Sequence, residues 1–499
     1  MKKIPLFILI LTFLVFSLAG IANSWQGRMA GMGDPYGLIM DESDFLIHPA
    51  GIAKGEGIKF YSNYRFNYTD VRDWKYTLDL FDPATRVLIS HFPVRASGDE
   101  QNHEALVGAA FPVGLGRMAF FFQYAGKDSD FTGHENALDL GSPVFHRFSM
   151  DSDLDAFALR LLYGLPVGGF KLGGELQFAY RNEENKTFLD FDKNKPFGAF
   201  YFYLGENLLP FIFPYDSKYW EAVLKGSLKG AIGPAKIAFT IRGGYIFGGD
   251  NKLNTGPGSG SIKMDGEVKG WNIGSDLWMR VPLAKGLSVP MLVKVDYQKK
   301  TRDGDGPGFG GLYFFDYKNG EKILKMEAGA GLDKEFAKGS KIAAGIYYGY
   351  LRSKNDYTIT QSGSGFLGTV DHTDYPDQTE HRVILRLVGE KEFSSMFAMR
   401  MGLSFFYGWV KENLEMKFQD NTPSNYLDDM SLNGNHWGIG ASLGATVKFQ
   451  RFCIEPFLGG GYQKFKVNGD GFNSVFPAVT EMDKLKKEWS VGGGLSVKF

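Results

Sequence analysis

The chain ends Trp489-Ser490-Val491-Gly492-Gly493-Gly494-Leu495-Ser496-Val497-Lys498-Phe499. Trp489, Val491, Leu495, Val497 and Phe499 share one parity with Gly493. Ser490, Gly492, Gly494, Ser496 and Lys498 share the other. Successive side chains of a strand point to opposite faces, so one face is apolar and closes on an aromatic carboxy-terminal residue. The other face is polar or bare. A strand with lipid on one side and a wet lumen on the other needs this arrangement.

The pattern recurs upstream. Phe60, Tyr64, Phe66 and Tyr68 oppose Lys59, Asn63, Arg65 and Asn67. Met118, Phe120, Phe122 and Tyr124 oppose Arg117 and Gln123. Phe170, Leu172, Leu176, Phe178 and Tyr180 oppose Lys171, Glu175, Gln177 and Arg181. The same holds over Lys236–Phe247, Phe397–Trp409 and Trp437–Phe449. Runs of this length suit spanning strands, which need about 9–11 residues. Short connections near Val113–Gly116, Leu165–Gly169, Ile232–Ala235, Pro282–Gly286, Lys334–Gly339, Glu390–Ser395 and Gln450–Arg451 alternate with long polar ones. The long ones cover 69–103, 127–151, 183–218, 249–263, 301–320, 354–379, 414–433 and 467–487. Short periplasmic turns and long external loops are the rule for outer-membrane barrels. The expected fold is all-β: a transmembrane antiparallel outer-membrane β-barrel of about 16 strands, within a range of about 14–18, preceded by an amino-terminal plug.

Composition agrees. Aromatic residues make up 15% and glycine 65 of 499 residues, as many short strands with aromatic girdles require. The net charge of −1 gives no global field for nucleic acid. The single Cys453 excludes an intramolecular disulfide framework. Lys2 and Lys3, the apolar run Leu6–Leu18 and the small residues Gly20-Ile21-Ala22 form an export signal with cleavage after Ala22. The alternative, an uncleaved anchor, has an apolar run short of the about 20 residues a spanning helix needs. The expected organisation is a signal peptide over 1–22, a plug or hatch over 23–57 and the barrel over 58–499.

Residues 23–57 do not alternate. They contain Gly27-Arg28-Met29-Ala30-Gly31-Met32-Gly33, then Asp41-Glu42-Ser43-Asp44-Phe45-Leu46-Ile47, then His48-Pro49-Ala50-Gly51-Ile52-Ala53. Glycines at 27, 31, 33, 37 and 51 and prolines at 35 and 49 preclude a regular strand or helix. Such a segment folds inside the barrel or hangs from it as a disordered lead-in. It resembles the amino-terminal hatch of the FadL-like outer-membrane transporters, the long-chain fatty-acid and hydrophobic-compound channel superfamily. Members share a Gly-Met-Gly-like start, an acidic stretch and an Asn-Pro-Ala-Gly sequence. Here His48 stands where the asparagine is usual, and Asp34 where a small residue is common. The resemblance covers about 35 residues closely and the rest as architecture. It implies a plugged lumen, ligand-driven movement of the plug and exit of a hydrophobic ligand through the barrel wall. It assigns hatch or gating roles to Asp41, Glu42, Asp44, His48, Pro49, Ala50 and Gly51. Family barrels commonly have 14 strands, fewer than the count here.

Sorting strands by parity places eighteen basic residues in the lumen, Arg382, Arg386 and Arg400 among them, against six acidic ones. Two accounts are open: a cationic lumen that concentrates anions, or bases paired with the plug's Asp41, Glu42 and Asp44 or with each other. Arg382, Arg386 and Arg400 are expected to form one cluster. A second expected site is an apolar external loop carrying Phe197, Phe200, Phe202, Phe211 and Phe213, either a capture surface for apolar ligands or a cap folded over the barrel.

Eight scattered histidines lack paired metal-ligand spacing. Asp303-Gly304-Asp305-Gly306 lacks the rest of a calcium loop and reads as a flexible loop. No nucleophile–base arrangement is legible, and neither an enzyme nor a cofactor is expected. The expected partners are outer-membrane lipid and lipopolysaccharide, the barrel-assembly machinery through Phe499, and small hydrophobic or anionic solutes, with no nucleic acid. The leading expectation is passive uptake of small hydrophobic or amphipathic molecules under an amino-terminal plug. The alternatives are an open, weakly anion-preferring porin and a non-transport barrel that binds a periplasmic or surface partner.

Overall fold

The computed structural model describes residues 32, 37–39, 42–81, 88–139, 142–191, 215–254, 263–308, 313–336, 339–363, 370–420, 426–471 and 478–498. The strands, in chain order, are β1 (Lys59–Phe81), β2 (Leu88–Val113), β3 (Gly116–Asp139), β4 (Ser142–Val167), β5 (Phe170–Phe191), β6 (Tyr215–Ile232), β7 (Ala235–Asn254) and β8 (Lys263–Ala284). They continue with β9 (Leu287–Gly308), β10 (Tyr313–Phe336), β11 (Ser340–Gly363), β12 (Val370–Glu392), β13 (Phe397–Asp420), β14 (Tyr426–Phe449), β15 (Phe452–Ile454), β16 (Phe457–Gly471) and β17 (Ala478–Lys498). Each pairs antiparallel with its neighbours, and β1 pairs with both β2 and β17, so the sheet closes on itself. β15 and β16 are two halves of one pass, interrupted at Glu455-Pro456, and both pair with β14 and β17. Among the described residues the barrel therefore makes sixteen passes, the number expected from the turns.

The outer face of the half nearest the short turns is apolar. Phe120, Phe122, Leu159, Leu161, Phe239, Ile241, Leu403, Phe405 and Ile439 all stand exposed there. A belt of paired rings crowns it: Tyr124 with Phe157, Tyr180 with Trp220, Trp271 with Tyr297, His381 with Trp409, Trp437 with Tyr462, and Phe66 with Trp489. From Phe397 to the belt residue Trp409, β13 climbs about 30 Å, taking ~3.4 Å per residue and ~40° of tilt. That matches the hydrocarbon thickness of a bilayer.

The strands do not stop at the belt. β13 and β14 stay in register as far as Phe418 and Tyr426, roughly 20–25 Å further on the same arithmetic. Spans read from sequence as long loops, 69–103, 127–151, 301–320 and 354–379 above all, are mostly paired strand, and single strands run to 26 residues rather than 9–11. Above the bilayer both faces of the wall meet water, so the apolar–polar alternation vanishes while the backbone ladder continues. Asp303-Gly304-Asp305-Gly306 likewise lies in β9, paired to β10, and not in a loop. The short turns are tight: Gly114 and Gly168 take φ of 56° and 58°, the left-handed region glycine reaches without strain.

Candidate functional site

Two short 3-10 helices precede β1, Glu42–Leu46 and Pro49–Lys54. Pro49 opens the second, where its missing N–H and fixed φ suit a helix start. Both pack against inward-facing side chains of the wall. The Phe45 ring lies 5.6 Å from Tyr61 and 5.5 Å from Phe121. Leu46 and Ile52 complete a buried cluster with Leu106, Ala110, Ala119 and Leu162.

Polar contacts hold the same segment. Arg160 of β4 donates to the Leu46 carbonyl at 2.9 Å, and Lys225 of β6 does so at 3.2 Å. Both cations also contact the fully buried Glu175 carboxylate, at 2.7 and 3.2 Å. The Ala50 amide donates to Ser227 Oγ at 2.6 Å. His48 Nδ1 and Thr240 Oγ1 share a 2.6 Å hydrogen bond. Burial, aided by the nearby charges of Lys229 and Arg242, lowers the His48 pKa to about 3, so its ring is neutral at physiological pH. Further along, the Trp278 indole N–H donates to the Gly37 carbonyl at 3.0 Å. Leu38 fills the space over Gly331 and Gly345, and the Met32 carbonyl rests on Gly402. The wall makes room with glycine: a methyl at Gly173 would strike the Ala50 amide nitrogen, and one at Gly164 would strike Ile52. The described parts of residues 32–54 thus touch the inner wall from β1 round to β13.

Of the hatch residues named from sequence, the structure brings His48, Pro49, Ala50 and Gly51 to the inner faces of β5, β6 and β7 or to the Phe45 backbone. Asp44 is buried in the first helix, where its backbone carbonyl accepts from Ile47 and His48 at 2.9 and 2.7 Å. Glu42 begins that helix. Asp41 lies outside the described residues, as do Phe197, Phe200, Phe202, Phe211, Phe213 and Phe499.

Arg382, Arg386 and Arg400 all face the lumen but do not form one cluster. Arg382 pairs with Glu380 and lies over the Phe406 ring. Arg386 pairs with Glu327 at 3.0 Å and lies 4.6 Å over Tyr347. Arg400 sits near the short-turn end, 3.7 Å from Glu390 and 3.4 Å from Glu455. Strand pairing accounts for this: Arg386 is level with Gly345, whereas Arg400 is level with Glu390. Other lumenal bases are matched in the same way. Arg242 meets Asp276 at 2.5 Å and also Asp296, Arg280 meets Asp333 at 2.6 Å, and Arg181 meets Glu221 at 2.9 Å. Above the aromatic belt Glu183 receives Tyr219, Lys300 and Arg302. The acids Glu183, Glu390 and Glu335 were missed because they fall in spans read as loops or turns, and Glu380 and Asp333 because they stand at strand ends one residue beyond such spans. Extending strand parity into those spans would have found them.

Two cavities lie along the inner face of β13, β14, β16, β17 and β1. The upper, about 340 Å³, is lined by Arg65, Glu100, Arg386, Ser404, Ser442 and Lys486, with Met32 at its edge. The lower, about 290 Å³, opens among Lys59, Arg400, Thr446, Lys448, Cys453 and Glu455 near the short turns. Both are polar, and the wall beside the upper one carries Gly402, Gly440, Gly459 and Gly461. Among the described residues no group of three or more His, Cys, Asp or Glu side chains is placed to hold a metal ion.

No family model and no curated protein matches the chain. The chain is similar at low identity to solved structures of hydrocarbon channels and toluene transporters. A toluene transporter TbuX from Ralstonia pickettii is 12% identical, covering 97% of this chain and 100% of that one, with a TM-score of 0.38. The Pseudomonas putida toluene transporter TodX is 11% identical over 96% and 99%, with a TM-score of 0.40. A Pseudomonas aeruginosa FadL homologue is 11% identical over 96% and 100%, with a TM-score of 0.42.

Proposed function

We propose that this protein is an outer-membrane channel for passive uptake of small, amphipathic molecules, with residues 32–54 as a plug seated inside the barrel. The observation that carries the reading is the double anchoring of the Leu46 carbonyl by Arg160 and Lys225 over the buried Glu175. A disordered lead-in would have no use for two cations, held by a buried carboxylate, converging on its backbone. The apolar outer band and its aromatic belt support residence in a bilayer, and the sequence Lys2 to Ala22 supports export. Lipid and lipopolysaccharide would then contact the band, and Phe499 would present the chain to the assembly machinery.

The polar lining of both cavities favours solutes with a polar head over pure hydrocarbons. It also keeps in view a second reading, a pore for hydrophilic solutes. A general preference for anions is not part of either, since the lumenal bases face carboxylates. Single-channel conductance in planar bilayers tests the proposal, with the mature chain beside a deletion of residues 23–52. A closed intact protein that conducts after deletion supports the plugged channel. Large steady conductance in the intact protein supports the open pore. No conductance in either rejects both.

A further inference from the structure

The two cavities lie on the same stretch of wall, one above the other. On β13 the lower cavity reaches Arg400 and the upper begins at Gly402. On β14 the corresponding residues are Thr446 and Ser442, with Gly444 between. Strand register sets the dividing row as Arg400, Gly444, Phe457, Gly492 and Arg65, each paired to the next. The row above it, Gly402, Ser442, Gly459 and Ser490, has no side chain larger than a hydroxymethyl from β13 to β17 and meets Asn67 on β1. Phe457 is therefore the bulky apolar group in its row, and it is buried with its ring lying over Gly492. The plug contributes the facing piece: Met32 is buried, with its carbonyl on Gly402.

We infer that solutes cross this barrel axially, along the small-residue face of β13, β14, β16 and β17, and that Met32 and Phe457 together form the barrier between its outer and inner cavities. The inference rests on the channel reading and gives it a route. The helical part of the plug lies against β1 to β7, where Tyr61 and Leu106 meet Phe45 and Leu46, glycines accept its backbone and buried charges hold it. Opening this route needs Met32 to leave Gly402 and the Phe457 ring to turn aside. It does not need extraction of Phe45, Leu46 and Ile52 from their cluster. The solute class that suits it is small and polar or amphipathic, with groups able to replace water against Ser404, Ser442 and Ser490.

Cys453 makes the route testable, because the chain's single thiol lines the lower cavity. The experiment is planar-bilayer conductance in potassium chloride, on full-length mature protein whose folding is checked by heat-modifiable migration in gels. The variants are Phe457→Ala, Met32→Gly, Phe457→Ala with Cys453→Ser, and a deletion of residues 23–52. The thiol probe is 2-sulfonatoethyl methanethiosulfonate. Phe457→Ala and Met32→Gly are each expected to raise conductance several-fold over the intact chain. The probe is expected to lower the Phe457→Ala current by at least half, and to leave the current unchanged when Cys453 is serine. If the deletion conducts while both single variants stay at the intact level, or if the Phe457→Ala current ignores the probe, the route lies elsewhere and the inference is overturned. If the deletion does not conduct, the channel reading itself fails.

Discussion

Arg160 of β4 and Glu175 of β5 form a two-point ion pair, at 2.7 and 3.1 Å, buried beneath the Leu46 carbonyl to which the same arginine donates. The pair therefore does two things: it satisfies charge inside the wall and fixes the plug's backbone. Removing one member of a buried ion pair costs about 3–5 kcal/mol, because the other charge is left uncompensated. Glu175→Gln leaves Arg160 and Lys225 together without their carboxylate. The plug is expected to loosen while the barrel persists. Limited proteolysis should then cleave near residues 40–55 at least tenfold faster than in the parent, with the barrel fragment still heat-modifiable.

His48 makes plug seating depend on pH. Seated, its pKa is lowered to about 3, chiefly by burial and then by Lys229 and Arg242. Withdrawn into water it returns to about 6.5. The withdrawn state thus binds more protons between these values, and seating is favoured fully above pH ~6.5 and weakens as pH falls toward ~3, by ~1.4 kcal/mol per pH unit. Protease accessibility of the plug should rise between pH 7 and pH 5. His48→Gln keeps a polar group beside Thr240 and should flatten that dependence.

Gly173→Ala tests seating by shape alone. The added methyl would collide with the Ala50 amide nitrogen, a backbone atom of the second 3-10 helix. Overpacking of this kind costs roughly 1–3 kcal/mol. The expected outcome is a folded barrel with an accessible plug and increased conductance. Wild-type conductance and protease resistance would mean that the helix does not sit on Gly173.

The paired lumen charges predict selectivity. Glu183 holds Lys300 and Arg302 above the belt, so Glu183→Gln removes a negative charge beside two cations and should move the reversal potential in a salt gradient toward anions. Neutralising Arg382, Arg386 and Arg400 together strips cover from Glu380, Glu327 and Glu455 and should move it toward cations. Both shifts are read on a conducting background lacking residues 23–52.

Parity was legible wherever a strand separates lipid from water. Phe397, Met399, Met401, Leu403, Phe405, Tyr407 and Trp409 announce β13, and the short turns count the passes. Parity failed where both faces are wet, which is why the upper halves of β1 to β5 read as loops and why Glu183 was not counted against the bases. The plug was visible from Gly37, Pro49 and Gly51, whose backbone demands exclude a strand. Its seat was not, since the partners Arg160, Glu175, Ser227 and Thr240 are brought together only by the closure of the sheet. The grouping of Arg382, Arg386 and Arg400 rested on adjacency of strands. Register, which sequence does not state, separates them.

The ladder that continues between Glu412 and Phe418 of β13 and their partners on β14 makes the protein a chimney as tall above the lipid as a large part of the bilayer is thick. Electrical resistance of a uniform tube grows with its length, so adding roughly 20–25 Å to a ~30 Å span should nearly halve the current of the open state relative to a barrel that ends at the belt. It also lifts the mouth clear of the membrane surface, so a solute meets the rim of this tube before it meets lipid.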